Sequence, residues 1–202
     1  MAATMVKQSY LQVIEEMAML DPPSFVFGGI AEDALLDHRI SRPHSDIDVM
    51  VVRDELDERL RQGEALGFDG FEVYYEPVRD KPLVLGGHRG DLNLELGTLD
   101  RDDQSHYFTV ADRAGDLYNI RLPDDLFAYP ATLIEGTPIH TLSPLALYQI
   151  RAGLDITRTF GRLRPKDLVA QRRLKAVFLP DRPESALRPR IGSFSLRSGT
   201  HV

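Results

Sequence analysis

Hydrophobic and polar residues in the first third of the chain alternate between helical and strand-like spacing. Apolar residues recur at roughly helical intervals through residues 5–20 and stop at Asp21-Pro22-Pro23, which predicts a first helix. The apolar run 24–27 ends in Gly28-Gly29 and predicts a short buried strand that enters a turn. Three more elements are expected to follow, namely a short helix over 30–36, an apolar strand over 47–52 and a charged amphipathic helix over 54–66.

The middle third carries short strand-like patterns that are separated by turn residues. Strands are predicted over 71–77, 83–85 and 91–96, with a hairpin loop at 86–90 before the last of them. Three leucines alternate with polar residues in that last strand, so that Leu92, Leu94 and Leu96 face one side and Asp91, Asn93 and Glu95 the other. Turns and short strands are expected to continue to about residue 140.

The last third is helical and then loses its periodicity. Ser143-Pro144 is typical of a helix start, and helices are predicted over 144–155 and 165–178. From Pro180 onward proline, arginine and serine predominate, which favours a flexible tail. The order of elements predicts an α/β fold of the α+β kind, with a small mixed twisted sheet, flanking helices and a helical C-terminal part. The expected divisions are a domain over 1–142, a helical segment over 143–179 and the tail over 180–202.

Composition and charge narrow the class of protein. Hydrophobic residues make up 43% and charged residues 27%, which is ordinary for a soluble globular chain. The absence of cysteine excludes disulfides and thiolate metal sites, and the net charge of -7 argues against a broad surface for duplex nucleic acid. No apolar run is long enough to span a bilayer, and Met1–Tyr10 lacks the apolar core of a signal peptide, so we expect a cytoplasmic protein.

The strongest candidate chemistry lies between Gly28 and Asp48. Asp46 and Asp48 alternate with Ile47, so both carboxylates leave the same face of the predicted strand. Two carboxylates this close repel each other unless a cation lies between them, and Mg²⁺ prefers oxygen ligands of this kind. Such an ion bridges nucleotide phosphates and stabilises attack at phosphorus. Gly28 and Gly29 would let the backbone approach a phosphate, and a helix after them would direct its amides at the same anion.

Two stretches of the sequence resemble a known enzyme family. The segment GGIAEDALLDHRISRPHSDIDVMV is similar to the signature of aminoglycoside and lincosamide nucleotidyltransferases, a small antibiotic-modifying branch of the superfamily related to DNA polymerase beta. The later segment FAYPATLIEGTPIHTLSPLALYQIR also looks like that branch. The resemblance covers about residues 21–175 and is most specific in the first segment. It implies Mg²⁺-dependent transfer of a nucleoside monophosphate, with AMP as the expected group, from a nucleoside triphosphate to a hydroxyl of a small molecule.

The resemblance also implies roles for individual residues. Asp46 and Asp48 would be catalytic metal ligands, and the family adds a third carboxylate on a neighbouring strand. A gapless alignment puts Asn93 at that position, and asparagine can ligate a metal but cannot act as a base. The candidates for a third metal ligand or a base are therefore Glu95, which is long enough to reach the metal, and Asp91 as the second choice.

The triphosphate would be bound by residues of the same motif and of the C-terminal helices. The candidates are Gly28, Gly29, Arg42, His44, Ser45, Arg151 and Lys166. Of these, Lys166 lies in a Lys166-Asp167 pair that resembles a Lys-Asp element of the family, although Gln171 stands where the family often has a further aspartate. The acceptor pocket is expected to come from segments around 100–140 and from the C-terminal helices.

Two alternatives remain open from the sequence. Toxin-type nucleotidyltransferases that modify RNA or protein carry a similar motif, which His38-Arg39 fits, and they would need a basic groove. Seven cations could line one: Arg158, Arg162, Arg164, Lys166, Arg172, Arg173 and Lys175. The other alternative is an inactive nucleotide-binding member of the fold, which Asn93 favours. A small-molecule acceptor is the preferred partner, and nucleic acid is not.

Overall fold

The computed structural model describes residues 2–20, 23–159 and 161–194. Six α-helices and ten strands lie within these ranges, together with a short 3-10 helix over Arg53–Glu55. In chain order they are α1 (Ala2–Ala18), β1 (Phe25–Phe27), α2 (Gly28–Leu36), β2 (Asp46–Val52), α3 (Leu56–Ala65), β3 (Asp69–Tyr75), β4 (Val84–Arg89), β5 (Leu92–Arg101), β6 (His106–Ala111), β7 (Leu117–Arg121), β8 (Thr132–Ile134), β9 (Thr137–Thr141), α4 (Pro144–Thr157), α5 (Pro165–Phe178), α6 (Glu184–Leu187) and β10 (Arg190–Phe194).

The strands form one mixed sheet, which confirms the predicted α/β class. The order is β10-β7-β6-β5-β2-β1-β9-β8, with β4 beside β5 and β3 beside β4. The strand pairs β2–β5 and β1–β9 are parallel, and the other pairs are antiparallel. With ten strands the sheet is larger than the small one predicted. The parallel register places Asp46 opposite Asn93 and Asp48 opposite Glu95.

A single main hydrophobic core supports the strands that carry the polar residues. Ile47 and Val49 of β2 and Leu94 of β5 are buried in it, as are residues of the helices α1, α2, α4 and α5. The side chains between them, Asp46, Asp48 and Glu95, are only partly buried. The alternation predicted for these two strands is therefore confirmed, because the apolar face packs on the core and the polar face stays accessible.

The hairpin loop predicted at 86–90 is wrong. Gly86 and Gly87 belong to β4, and the turn that follows lies at Gly90 and Asp91. Each of the two glycines leaves room for an aromatic ring of β3: a Cβ on Gly86 would lie 2.0 Å from Tyr74, and one on Gly87 2.8 Å from Phe71. The glycine pair thus marks a close approach within a sheet, which local sequence does not distinguish from a turn.

The flexible tail expected from Pro180 is not what the structure has between residues 184 and 194. Pro183 precedes the one-turn helix α6, and Leu187 within it is buried. Strand β10 then pairs antiparallel with β7, from Arg190 opposite Arg121 onward. Backbone pairing with a sheet edge needs no hydrophobic periodicity, which explains why the pattern did not predict this strand. The remainder of the expected tail, 195–202, lies outside the described residues.

The start of α2 differs from the prediction. Helix α2 begins at Gly28, two residues earlier than predicted, so both glycines form its first turn.

Among the described residues, no helix combines the length and the apolar character that crossing a membrane requires.

Candidate active site

A cleft of about 260 Å³ lies between the polar face of β2 and β5, the start of α2, and the helices α4 and α5. Ten of the residues singled out in the sequence line it: Gly28, Gly29, Arg42, His44, Ser45, Asp46, Asp48, Glu95, Arg151 and Lys166. The remaining lining residues are Phe27, Glu32, Leu147, Ile150, Leu154, Arg164 and Asp167. Residues far apart in the sequence thus converge on one site.

Three carboxylates stand together on the sheet side of the cleft. Asp46 and Asp48 leave the same face of β2, and Glu95 lies opposite Asp48 on β5. Burial, and then the charges of Asp46 and Glu95, raise the pKa of Asp48 to about 8. Burial and the charge of Asp46 also raise the pKa of Glu95. The three groups are therefore close enough to interact electrostatically, and Asp48 and Glu95 would ionise more readily beside a cation.

The two glycines bring side chains of the motif directly onto the start of α2. Gly28 has a φ of +66, and a Cβ there would lie 1.9 Å from Oδ2 of Asp48. A Cβ on Gly29 would lie 2.6 Å from Nη2 of Arg42 and 2.7 Å from Nδ1 of His44. Any larger residue would displace these groups. The first backbone amides of α2 lie at this same point, and they have no hydrogen-bond partner within the helix.

His44 is held by a buried carboxylate that does not line the cleft. Its Nε2 lies 2.9 Å from Oδ2 of Asp33, and both side chains are almost fully buried. Its backbone carbonyl accepts a hydrogen bond of 2.7 Å from the hydroxyl of Tyr10. The next residue, Ser45, is exposed and donates a hydrogen bond of 2.6 Å from Oγ to Asp46. His44 and Ser45, which precede the two aspartates, are therefore held by hydrogen bonds with Asp33, Tyr10 and Asp46.

Four alternating charges connect the helices on the far side of the cleft. Arg151 of α4 forms ion pairs with Glu32 of α2 and with Asp167 of α5, the latter at 2.9 Å. Arg164 pairs with Asp167 at 2.7 Å. Burial raises the pKa of Glu32, with Arg151 opposing it, whereas for Asp167 the two arginines outweigh burial and lower the pKa. Arg151, a predicted phosphate contact, is thus already engaged by two carboxylates.

Two other cations of the cleft are less engaged. Lys166 is exposed at the first turn of α5, and no hydrogen bond or ion pair to it is found within the described ranges. Arg42 donates a hydrogen bond of 3.3 Å to the carbonyl of its neighbour Pro43. Both side chains face the same cleft as the aspartates. They are the cations that an anionic ligand would meet at the smallest cost in existing contacts.

The donor set of the cleft fits a hard divalent cation. No group of three or more His, Cys, Asp or Glu side chains is arranged to hold a metal unaided in the part of the chain that the structure describes. Mg²⁺, however, is usually bound by one or two carboxylates together with substrate phosphates and water. Asp46 and Asp48 supply such a pair, with Glu95 beside them, and a cation there would offset the burial and the carboxylate repulsion that raise the pKa of Asp48 and of Glu95.

The structure separates the three candidates from the polar face of the predicted strand. Glu95 lines the cleft, whereas Asp91 is exposed in the turn before β5 and lies outside the cleft. Asn93 lies opposite Asp46 but donates a hydrogen bond of 3.3 Å to the carbonyl of Ser45. Of the three candidates, Glu95 is thus the one that both lies beside the aspartates and lines the cleft.

Sequence reasoning missed the buried charges and the apolar wall of the cleft. Glu32 lies one turn after Gly28, and a helix start at Gly28 would have directed attention to it. Leu147, Ile150 and Leu154 follow helical spacing on one face of α4, the same face as Arg151. That periodicity predicts burial but does not distinguish a core face from a cleft wall. The Arg151–Glu32 ion pair joins residues 119 positions apart, and the Arg151–Asp167 pair joins two different helices, so neither pair leaves a local pattern.

Comparison with solved structures shows the class of fold. The crystal structure of ANT(2'')-Ia in complex with adenylyl-2''-tobramycin matches 89% of this chain and 95% of its own chain, with a TM-score of 0.64 and 20% identity. The solution structure of the antibiotic-resistance factor ANT(2'')-Ia matches 90% of this chain and 88% of its own, with a TM-score of 0.59 and 20% identity. No protein-family model and no curated protein sequence matches the chain. The chain thus shares its fold with the two ANT(2'')-Ia structures.

Proposed function

We propose that this protein is a Mg²⁺-dependent nucleotidyltransferase. It transfers a nucleoside monophosphate, AMP foremost, from a nucleoside triphosphate to a hydroxyl of a small molecule. The observation that carries the proposal is the cleft itself, in which a carboxylate cluster faces a glycine-based helix start and two available cations. These are the groups that phosphoryl-type transfer needs, because the reaction depends on positioning and on neutralising charge.

The carboxylate cluster would hold the metal. Asp46 and Asp48 are the expected ligands, and Glu95 is the expected third one. When bound there, Mg²⁺ would neutralise the triphosphate and polarise the α-phosphate. Gly28 and Gly29 would direct the free amides of α2 at the phosphates, and Arg42 and Lys166 would pair with them. The acceptor hydroxyl would attack the α-phosphorus in line as pyrophosphate leaves.

The alternative role of Glu95, in place of metal ligation, is that of general base. A base is most effective when its pKa lies near the working pH, and burial together with Asp46 raises the pKa of Glu95 in that direction. Its position opposite Asp48 would let it take the hydroxyl proton or orient the attacking oxygen. Asp91 is a weaker candidate because it is exposed in a turn outside the cleft.

The first acceptors to test are aminoglycosides. The solved structure with a TM-score of 0.64 holds adenylyl-2''-tobramycin, and the present chain shares its fold at 20% identity. The cleft offers an apolar wall of α4 beside several carboxylates, which suits a polar molecule with both hydroxyl and amino groups. If aminoglycosides are the acceptors, the protein would confer antibiotic resistance.

Neither alternative drawn from the sequence is favoured by the arrangement of charges. Of the seven cations that could form a nucleic-acid groove, Arg164, Arg173 and Lys175 are engaged in ion pairs with Asp167, Asp37 and Glu184. Asn93, which stands where the family has a carboxylate, favours an inactive member of the fold. Glu95, however, supplies a carboxylate in the same cleft. The small-molecule enzyme is therefore the better-supported proposal.

Pyrophosphate release tests the proposal. The protein is incubated with Mg²⁺, each of the four nucleoside triphosphates and a panel of aminoglycosides and other polyhydroxyl compounds. We expect release that depends on both acceptor and metal and that Asp46→Asn and Asp48→Asn abolish. Glu95→Gln should lower the rate by roughly 10² or more, in line with a general base, and Asp91→Asn should lower it less. The reverse ranking would assign the role to Asp91, and no release with any pair would contradict the proposal.

A further inference from the structure

A buried carboxylate stands directly behind His44. Asp33 of α2 is 5% exposed and does not line the cleft. It accepts hydrogen bonds from the backbone nitrogen of Ser41 at 2.7 Å and from the hydroxyl of Ser41 at 2.6 Å. Its third contact is the one of 2.9 Å with Nε2 of His44. All three of these hydrogen bonds come from the loop that leads to the two aspartates.

These contacts determine which ring nitrogen of His44 carries the proton. Burial alone would raise the pKa of Asp33, but the hydrogen bonds from His44 and Ser41 outweigh it and lower the pKa. Asp33 is therefore an anion, which can only accept hydrogen bonds. Nε2 of His44 must then be the donor, and the lone pair or further proton of the ring is confined to Nδ1.

The other side of the same ring faces the start of α2. A Cβ on Gly29 would lie 2.7 Å from Nδ1, so this nitrogen rests against the second residue of the helix. His44 lines the cleft, and its side chain is only 3% exposed, which leaves the ring little freedom to turn. Tyr10 fixes the backbone of the same residue through its carbonyl.

We infer that Asp33 is a positioning residue, which holds the His44 ring with Nε2–H inward and Nδ1 presented to the nucleotide. The inference rests on the proposed function, because it takes the ligand at Nδ1 to be a bound nucleoside triphosphate. Asp33 does not touch the ligand itself. It fixes the tautomer and the orientation of the His44 ring before the nucleotide binds. Binding then does not incur the free-energy cost of ordering that ring.

A double-mutant cycle on nucleotide affinity tests this route of action. Calorimetry gives the Kd of a non-hydrolysable nucleoside triphosphate analogue with Mg²⁺ for the wild type, Asp33→Asn, His44→Ala and the double variant. We expect Asp33→Asn to weaken binding about tenfold, a shift of about 1.4 kcal/mol in binding free energy. In the His44→Ala background, Asp33→Asn should have little effect on the Kd, because Asp33 affects the ligand only through the His44 ring. A purely structural role would weaken binding equally in both backgrounds.

Two further variants keep the test decisive. Asp37→Asn removes the same charge one turn along α2, from an exposed pair with Arg173, and should leave the Kd unchanged. If Asp33→Asn does not fold, Ser41→Ala removes only one hydrogen bond to Asp33. It should weaken binding in the same direction by a smaller factor, and again only when His44 is present.

Nitrogen-15 spectra of the His44 ring test the inference without any nucleotide. The wild type should show a single tautomer with the proton on Nε2, and Asp33→Asn should show a mixture or the opposite tautomer. A wild-type ring without a fixed Nε2–H overturns the inference, as does an Asp33→Asn penalty that persists in the His44→Ala background. Failure of the wild type to bind any triphosphate would instead contradict the proposed function, and the ring spectra would still decide the tautomer.

Discussion

Gly28 occupies a position where two separate constraints exclude a side chain. Its φ of +66 lies in the left-handed region, which residues with a Cβ adopt only with strain. A Cβ would also lie 1.9 Å from a carboxylate oxygen of Asp48. The residue therefore matters both for the backbone turn from β1 into α2 and for where the carboxylate stands.

A pair of alanine substitutions separates these two effects. Gly90 also has a positive φ, of +60, but a Cβ there would meet nothing within 4 Å. Gly90→Ala should thus lower the free energy of unfolding by the backbone strain alone, about 1 kcal/mol. Gly28→Ala should lower it further and, by displacing Asp48, abolish binding of nucleoside triphosphate. Urea unfolding and calorimetry measure the two quantities, and equal effects of the two variants would contradict the assigned contact.

Asp48 should make the stability of the metal-free protein depend on pH. Its pKa is raised from 3.8 to about 8 in the folded state, so the folded state holds the proton more tightly than the unfolded chain. Between these two values the folded state binds more protons, and the free energy of unfolding therefore falls as pH rises. The stabilising effect is fully present below about pH 4 and is lost as pH rises through about 8.

Urea unfolding between pH 5 and pH 8.5 without divalent cations measures this dependence. We expect the wild type to lose stability with rising pH, at no more than about 1.4 kcal/mol per pH unit from this one group. Asp48→Asn removes the titrating group and should give a flatter profile with higher stability at pH 8. All other titratable groups are common to both proteins, so the difference between the profiles isolates Asp48. Parallel profiles would show that Asp48 carries no such shift.

The sequence predicts residues of the site where their chemistry is local. Asp46 and Asp48 share a strand face, and Gly28 and Gly29 precede a helix, so short-range spacing was sufficient for all four. Glu32 and Asp167 could not be predicted in the same way, because their partner Arg151 comes from a different helix. Asp91 and Glu95 share the polar face of the predicted strand, where length favours Glu95, and the structure places Asp91 in the turn before β5, outside the cleft.

At the scale of elements, one arginine joins three helices through buried ion pairs beside the cleft. Arg151 links α4 to Glu32 of α2 and to Asp167 of α5, and all three side chains are at most 15% exposed. Replacing one partner of a buried ion pair leaves an uncompensated charge, which is far more destabilising than losing an exposed pair. The wall of the cleft formed by α4 and α5 depends on this contact.

Arg151→Leu should therefore lower the free energy of unfolding by about 3 to 5 kcal/mol, since it removes the ion-pair partner of the buried Glu32, while Asp167 keeps its pair with Arg164. Arg173→Leu is the matched control, because Arg173 also joins α5 to α2 through Asp37 but is 47% exposed. That substitution should change stability by no more than about 1 kcal/mol. Chemical denaturation at neutral pH measures both variants, and comparable losses would refute the distinction between the two pairs.

Periodicity predicts the elements that bury a continuous face. Helix α4, strand β2 and the apolar face of β5 agree with the predictions because each packs a regular stripe on the core. Helix α5 also has its predicted bounds, although Leu168, Val169 and Val177 on it are exposed. The pattern fails at β4, whose glycines lie under aromatic rings, and at β10, which is held by backbone pairing with β7. In both cases the deciding contact is made by another strand, and no residue within the segment reveals it.

At the scale of the whole molecule, the site exists only because the sheet is mixed. Strands β2 and β5 are parallel neighbours, which sets Glu95 beside Asp48 across 46 intervening residues. Strand β1 lies antiparallel to β2 on its other side and delivers Phe27, and with it the start of α2, opposite Asp48. Helices α4 and α5 then close the cleft from the C-terminal part of the chain. The net charge of -7 and the engaged arginines suit a metal–nucleotide complex better than a polynucleotide.

The proposed reaction transfers the α-phosphorus of a nucleoside triphosphate to a hydroxyl of a small acceptor. The most direct measurement uses ATP that carries phosphorus-32 at either the α or the γ position, with Mg²⁺ and an aminoglycoside panel, followed by separation of the products. The account predicts that label from α-labelled ATP appears on the acceptor, that label from γ-labelled ATP appears only in pyrophosphate, and that Asp48→Asn abolishes both. Transfer of the γ label to the acceptor, or no labelled acceptor with any triphosphate, would contradict it.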